Sequence, residues 1–129
     1  MGQKTYGGGN MKVTKVENCT ARPWGTYEVL LDADDCKVKR ITVEQGQRLS
    51  YQYHMKRSEI WVVISGEGTV TLEDEEHNIF PGHIITIGPE QRHRVRASDT
   101  SRLVFIEIQR GSYFGEDDIV RISDDYDRA

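Results

Sequence analysis

The 129-residue chain is poor in cysteine and proline, with two of the first (Cys19 and Cys36) and three of the second. Two thiols so far apart make neither a CxxC metal or redox motif nor a disulfide framework, so a reduced, cytoplasmic setting is expected. No apolar run approaches the roughly 20 residues needed to cross a bilayer, and no charged-then-apolar leader opens the chain, so no membrane association is expected. Basic charge is in deficit as well, with 17 Lys+Arg against 21 Asp+Glu and a net charge of −4. Nucleic-acid binders usually carry a basic excess, so nucleic acid is not an expected partner. Amphipathic helical periodicity is missing too. What remains is the composition of a single globular domain, 36% hydrophobic and 29% charged.

Residues 1–10 (MGQKTYGGGN) are glycine-rich without apolar periodicity and are expected to form a mobile tail, leaving 11–129 as one domain. From Met11 onward short β-like runs alternate with turn signals. Strands are expected over Thr26–Leu31, Lys37–Val43, Leu49–Tyr53, Glu59–Ser65, Thr69–Leu72, His77–Phe80, His83–Ile87, Arg92–Arg96 and Arg102–Gln109. Gly66-Glu67-Gly68 and the acidic stretch Glu73–Glu76 read as hairpin turns. The acidic end, Gly115–Arg128, is expected to hold a short helix over Glu116–Val120 or to cover a sheet edge. Nine short strands at turn spacings near 8–12 residues indicate an all-β sandwich or small barrel.

One stretch carries most of the chemistry. Gln52 and His54, two apart on a strand, project to the same face. A short turn through Met55–Ser58 returns Glu59 beside them, and His93 starts a later strand after the Gly88-Pro89 turn. Two imidazoles, a carboxylate and an amide oxygen make a site for a divalent metal such as Zn²⁺, Co²⁺, Mn²⁺, Fe²⁺ or Ni²⁺. His77 and His83 fit no ligand spacing and are expected at turns or the surface.

The spacing Gly46-x5-Gln52-x-His54-x4-Glu59-x6-Gly66 resembles the first cupin motif, with Gln52 in the place of the first histidine, and His93 matches the histidine of the second. Cupins are double-stranded β-helix (jelly-roll) barrels, in agreement with the strand count. The second motif departs from the pattern at Gly88, Glu90 and Ala97. Arg22-Pro-Trp-Gly25, Gln52-x-His54-x-x-Arg57-x-Glu59-x-Trp61 and Gln109-x-Gly111-x-Tyr113-x-Gly115-Glu-Asp-Asp-Ile119 narrow the likeness. Together they resemble the type II mannose-6-phosphate isomerase cupin, a domain at the C-terminus of bifunctional guanylyltransferase/isomerase proteins. The guanylyltransferase half is not expected within these 129 residues.

The resemblance implies metal-dependent interconversion of mannose 6-phosphate and fructose 6-phosphate through an enediol(ate), with Zn²⁺ the first-choice ion. Gln52, His54, Glu59 and His93 would be the ligands, and Arg57 a cation close to the substrate. Lys56 stands where the family more often has histidine. Parity adds Lys39 and Glu107: if the faces they share with Ile41 and Phe105 point inward, they meet near the metal as an acid/base or ion pair. With the reverse parity, Ile106 and Ile108 form the core instead. Lys37–Trp61 carries six cations against Glu44 and Glu59, which suits an anionic sugar phosphate. Two other functions fit the same cupin. One is a non-catalytic sugar-phosphate or nucleotide-sugar binder, or partner subunit of a separate guanylyltransferase; the other is a different metal cupin enzyme such as an oxygenase. Val62 and Ile64, opposite in parity to Glu59 and Trp61, offer a surface for a homodimer.

Overall fold

The computed structural model describes Cys19–Tyr126 and Arg128. The tail expected over residues 1–10 and the start of the domain lie outside the described residues. Among the described residues, eleven strands form two facing sheets. The first sheet contains β1 (Cys19–Arg22), β2 (Gly25–Asp32), β3 (Cys36–Val43), β5 (Arg57–Ser65), β8 (Ile84–Ile87) and β10 (Leu103–Gly111), in the order β1-β2-β3-β10-β5-β8. The second contains β4 (Tyr51–Tyr53), β6 (Gly68–Leu72), β7 (Glu75–Ile79), β9 (His93–Ala97) and β11 (Val120–Ser123), in the order β11-β4-β9-β6-β7. All strand pairs are antiparallel, and each of the nine expected strands is present to within two residues at either end.

The period-2 pattern decides which side chains enter the interior. On β5, Arg57, Glu59, Trp61 and Val63 are buried, while Ser58, Ile60, Val62 and Ile64 face outward. On β10, Leu103, Phe105, Glu107 and Gln109 point inward, and on β3 Lys39, Ile41 and Val43 do the same. Parity therefore runs in the direction that buries Lys39 and Glu107. Cross-strand register then sorts these residues into layers. Val43 lies opposite Leu103 and Ile41 opposite Phe105, whereas Lys39 lies opposite Glu107 and Gln109 opposite Glu59. One end of the interior is thus apolar, built on Val43, Val63, Val95, Ala97, Leu103 and Phe105, and the other is polar.

Three local expectations are corrected. Gly66-Glu67-Gly68 is not a hairpin: β5 pairs with β10 and β8, and β6 with β7 and β9, so this turn carries the chain between sheets. A Cβ on Gly66 would lie 1.8 Å from the Arg102 carbonyl oxygen, and its φ is +81°, so glycine is required where the strands crowd. Glu73 and Asp74, by contrast, close the expected hairpin with φ of 47° and 71°, both in the left-handed region, as a type I′ turn demands. The helix over Glu116–Val120 is absent; a turn there leads into β11, which pairs with β4 at the sheet edge. Lys39 and Glu107 do not form an ion pair with each other, because the Lys39 amine reaches Glu116 in that same turn at 2.9 Å.

Candidate metal centre and its pocket

β4, β5 and β9 bring their polar ends together. His54 follows β4, Glu59 is on β5 and His93 begins β9, and their ligand atoms all lie within 4.8 Å of one another. All three are almost fully buried, at 3%, 2% and 2% exposure. Gln52 is the register partner of His93, and its amide nitrogen sits 3.4 Å from His54 Nε2 while its oxygen accepts from Ser50. Three of the four expected ligands therefore converge through their donor atoms, and the fourth lies alongside with its amide end-for-end.

Backbone carbonyls set both imidazoles. His54 Nδ1 donates to the Asp118 carbonyl at 2.5 Å, and His93 Nδ1 donates to the Gln91 carbonyl at 2.8 Å. With the proton on Nδ1, each ring turns an Nε2 lone pair toward the centre, the arrangement that metal-binding histidines use. Burial, followed by the charge of Arg57, lowers the His54 pKa to about 4, and burial likewise lowers that of His93. Both rings are thus neutral near pH 7 and able to act as ligands. His93 Nε2 has no hydrogen-bond partner among the described residues. A buried lone pair left unpaired costs about 1–3 kcal/mol, so a cation at this point fits the donors present. The N/O donor set suits several divalent ions.

Around the triad, each neighbour has a defined job. Trp61 Nε1 donates to Glu59 Oε1 at 3.0 Å, while its ring packs on Phe105 at 4.7 Å between centroids. Arg57 is buried, its Nε donating to Glu59 Oε2 at 2.9 Å and its terminal nitrogen lying 3.1 Å from His54 Nε2. It is not a solvated charge. The guanidinium holds the same atoms that would take a metal. Asp118 accepts the Met55 and Lys56 backbone N–H groups, each at 3.0 Å, and so fixes the loop that carries His54 and Arg57. Nothing in the strand pattern marked Asp118; its place in the quoted Gly115–Ile119 segment was the only signal.

Glu107 accepts from Gln109 Nε2 at 2.7 Å. Burial, then the adjacent Glu59 carboxylate, pushes its pKa up to about 7, so it exchanges a proton near neutrality. The pocket beside it is lined by cations from both sheets, Arg22, Lys39, Arg57 and Arg121, and by Arg128 beyond β11, with Glu107 and Glu116 the acidic residues. Of the six cations in Lys37–Trp61, only Lys39 and Arg57 turn inward; Arg48, for example, pairs with Asp125 outside. Arg92 is bound to Glu73 on the surface, and Arg94 donates to the Leu49 and Ser123 carbonyls, which gives both structural partners. His77 and His83 are exposed, as expected. Arg121 and Arg128 are the pocket residues that sequence reasoning missed, because they sit in an end segment whose acidity masked them.

A two-sheet antiparallel barrel with this triad at one interior end is a double-stranded β-helix of the cupin class. The chain belongs to the family described as Mannose-6-phosphate isomerase C-terminal, which matches residues 9–124. It is 43% identical over 108 residues to the xanthan biosynthesis protein XanB of Xanthomonas campestris pv. campestris, covering 84% of this chain and 23% of that protein. It is 41% identical over 108 residues to the alginate biosynthesis protein AlgA of Pseudomonas aeruginosa, covering 84% and 22%. A mannose-1-phosphate guanylyltransferase of Sinorhizobium fredii is 36% identical over 114 residues, 88% of this chain and 22% of its own length. The chain spans less than a quarter of the length of these relatives. Among solved structures, KdgF from Halomonas sp. superposes with a TM-score of 0.71 at 16% identity, covering 78% of this chain and 94% of that one. The capsular polysaccharide assembling protein CapF of Staphylococcus aureus gives 0.72 at 16% identity over 81% of this chain and 34% of its own. At such identity the likeness is one of fold.

Proposed function

We propose that the chain is a metal-dependent aldose–ketose isomerase that interconverts mannose 6-phosphate and fructose 6-phosphate. The observation that carries this reading is the buried His54/Glu59/His93 donor cluster with Glu107 beside it, opening onto a cationic pocket. The reaction moves the hydrogen on C2 to C1 and the hydroxyl proton on O2 to O1, by way of an enediol(ate). His54, Glu59 and His93 would hold a divalent ion, Zn²⁺ first and Co²⁺, Mn²⁺, Fe²⁺ or Ni²⁺ as alternatives, with Gln52 joining once its amide turns. Such an ion supplies Lewis acidity toward the C1 and C2 oxygens. Glu107 takes the proton from one carbon and returns it to the other. Arg57 supplies fixed positive charge next to the developing oxyanion. Lys39, held by Glu116, keeps a second cation at the pocket wall.

The matched relatives include proteins named mannose-1-phosphate guanylyltransferase, and each is covered over less than a quarter of its length. That favours one second reading, a sugar-phosphate or nucleotide-sugar binding module that serves a separate guanylyltransferase. The reaction itself separates the two. Protein stripped of metal and resupplied with each ion in turn is assayed for mannose 6-phosphate conversion by a coupled assay. Metal-dependent turnover supports the isomerase; no turnover with any ion, in protein that binds metal, contradicts it and leaves the binding module. A cytoplasmic location and a homodimer belong to the same proposal. Val62 and Ile64 do face out from β5, Val62 opposite Ile84 on β8, with Ile64 at 45% exposure and Ile84 at 67%.

A further inference from the structure

The cations that line the pocket are not equivalent. Lys39 is paired with Glu116, Arg57 with Glu59, and Arg128 with Asp124 through two nitrogens. Arg22 and Arg121 have no carboxylate partner among the described residues. Arg22 is steadied without one, donating to the Ala21 carbonyl and the Tyr27 hydroxyl and lying 5.1 Å from the Tyr27 ring centroid. Arg121 Nε is buried and, among the described residues, has no hydrogen-bond partner at all.

Register places Arg121 with respect to the metal centre. It lies opposite Gln52 on β4, and Gln52 lies opposite His93 on β9, so the three share one face of the second sheet. Arg22 ends β1, the edge strand of the other sheet, and lines the same pocket as Arg121. Two guanidinium groups from opposite sheets thus line one pocket, neither of them ion-paired among the described residues, while Asp124 and Glu116 act on Arg121 only through their charge. The unpartnered Arg121 Nε favours an anionic group that completes the site, and planar guanidinium forks match phosphate oxygens.

We propose that Arg121 and Arg22 together bind the phosphoryl group of a phosphate monoester whose sugar end reaches the His54/Glu59/His93 centre. This deepens the isomerase reading and rests on it for the identity of the sugar, but the anion site is tested separately. Calorimetry on the full chain, loaded with Zn²⁺, compares mannose 6-phosphate, mannose and inorganic phosphate for the native protein, Arg121→Gln, Arg121→Lys, Arg22→Gln and the outward-facing control Arg40→Gln. Native protein should bind mannose 6-phosphate at least about tenfold more tightly than mannose, given the strength of charge-assisted hydrogen bonds. Arg121→Gln should lose about tenfold or more of that affinity with zinc content unchanged, Arg22→Gln should weaken it as well, Arg121→Lys should recover part of the loss, and Arg40→Gln should match native protein. Arg121-dependent binding in protein that shows no turnover upholds the anion site and sinks the isomerase reading alone. Equal affinity of native protein and both glutamine variants, native protein that binds mannose as well as its phosphate, or inorganic phosphate binding that ignores Arg121, would overturn the proposal.

Discussion

The two ends of the barrel are made from the same strands but are finished differently. At one end, β3, β5, β9 and β10 contribute Val43, Val63, Val95 and Leu103, which pack into a closed apolar core. A few residues along, the same strands contribute Lys39, Glu59, His93 and Glu107, equally buried. Trp61 sits at the boundary, its ring against Phe105 and its N–H on Glu59. Among the described residues, the buried side-chain atoms without a partner are His93 Nε2, Gln109 Oε1 and Arg121 Nε, all at the polar end. The apolar end is complete as it stands. The polar end keeps these three buried polar atoms without a partner among the described residues.

The largest test of that division removes a core ring. Phe105→Ala should cost about 4 kcal/mol of stability, as for other buried phenylalanines, and denaturant unfolding would show it. Glu107→Gln, one layer away, should leave the unfolding free energy within about 1 kcal/mol of native protein, since it keeps the shape and removes a buried acid. Its turnover should fall by about two to three powers of ten if Glu107 carries the proton. A Glu107→Gln protein that unfolds like Phe105→Ala would mean that the polar end is structural.

The division was partly visible in the sequence. Alternation in KVKRITV, EIWVVIS and LVFIEIQ carried the strands, and period 2 placed Glu59, Lys39 and Glu107 on inward faces once the parity was known. The ligand spacing located His54 and Glu59 because one short turn carries the chain from β4 to β5 in the facing sheet, whereas His93 arrives through the pairing of β9 with β4. What stayed hidden depends on chain ends meeting distant strands. Glu116 capturing Lys39, Asp118 fixing the His54 loop, and Arg121 lining the pocket are contacts across 60 or more positions, and no local period encodes them. The Gly66 corner failed for a related reason: a glycine turn looks the same whether its strands pair or part.

Smaller effects sharpen the comparison from the polar side. Arg57→Ala should lower turnover roughly a hundredfold, the scale of losing one fixed donor at a developing oxyanion, while zinc content stays at one equivalent. Its release of Glu59 Oε2 and His54 Nε2 should, if anything, favour the metal. Asp118→Ala should weaken zinc affinity by about tenfold, the lower range for groups that orient ligands from behind, because the Met55–Arg57 loop loses its anchor. Competition with a chelator would measure both.

The central claim is that the polar end is a metal centre built on an already folded barrel. Zinc titration by calorimetry, on chelator-treated native protein and on His54→Ala and His93→Ala, tests it most directly. The account predicts a folded apo-protein that takes up one equivalent of Zn²⁺ tightly, and two folded variants that do not. Native protein without tight zinc binding, variants that bind as native, or an apo-protein that is unfolded would contradict it.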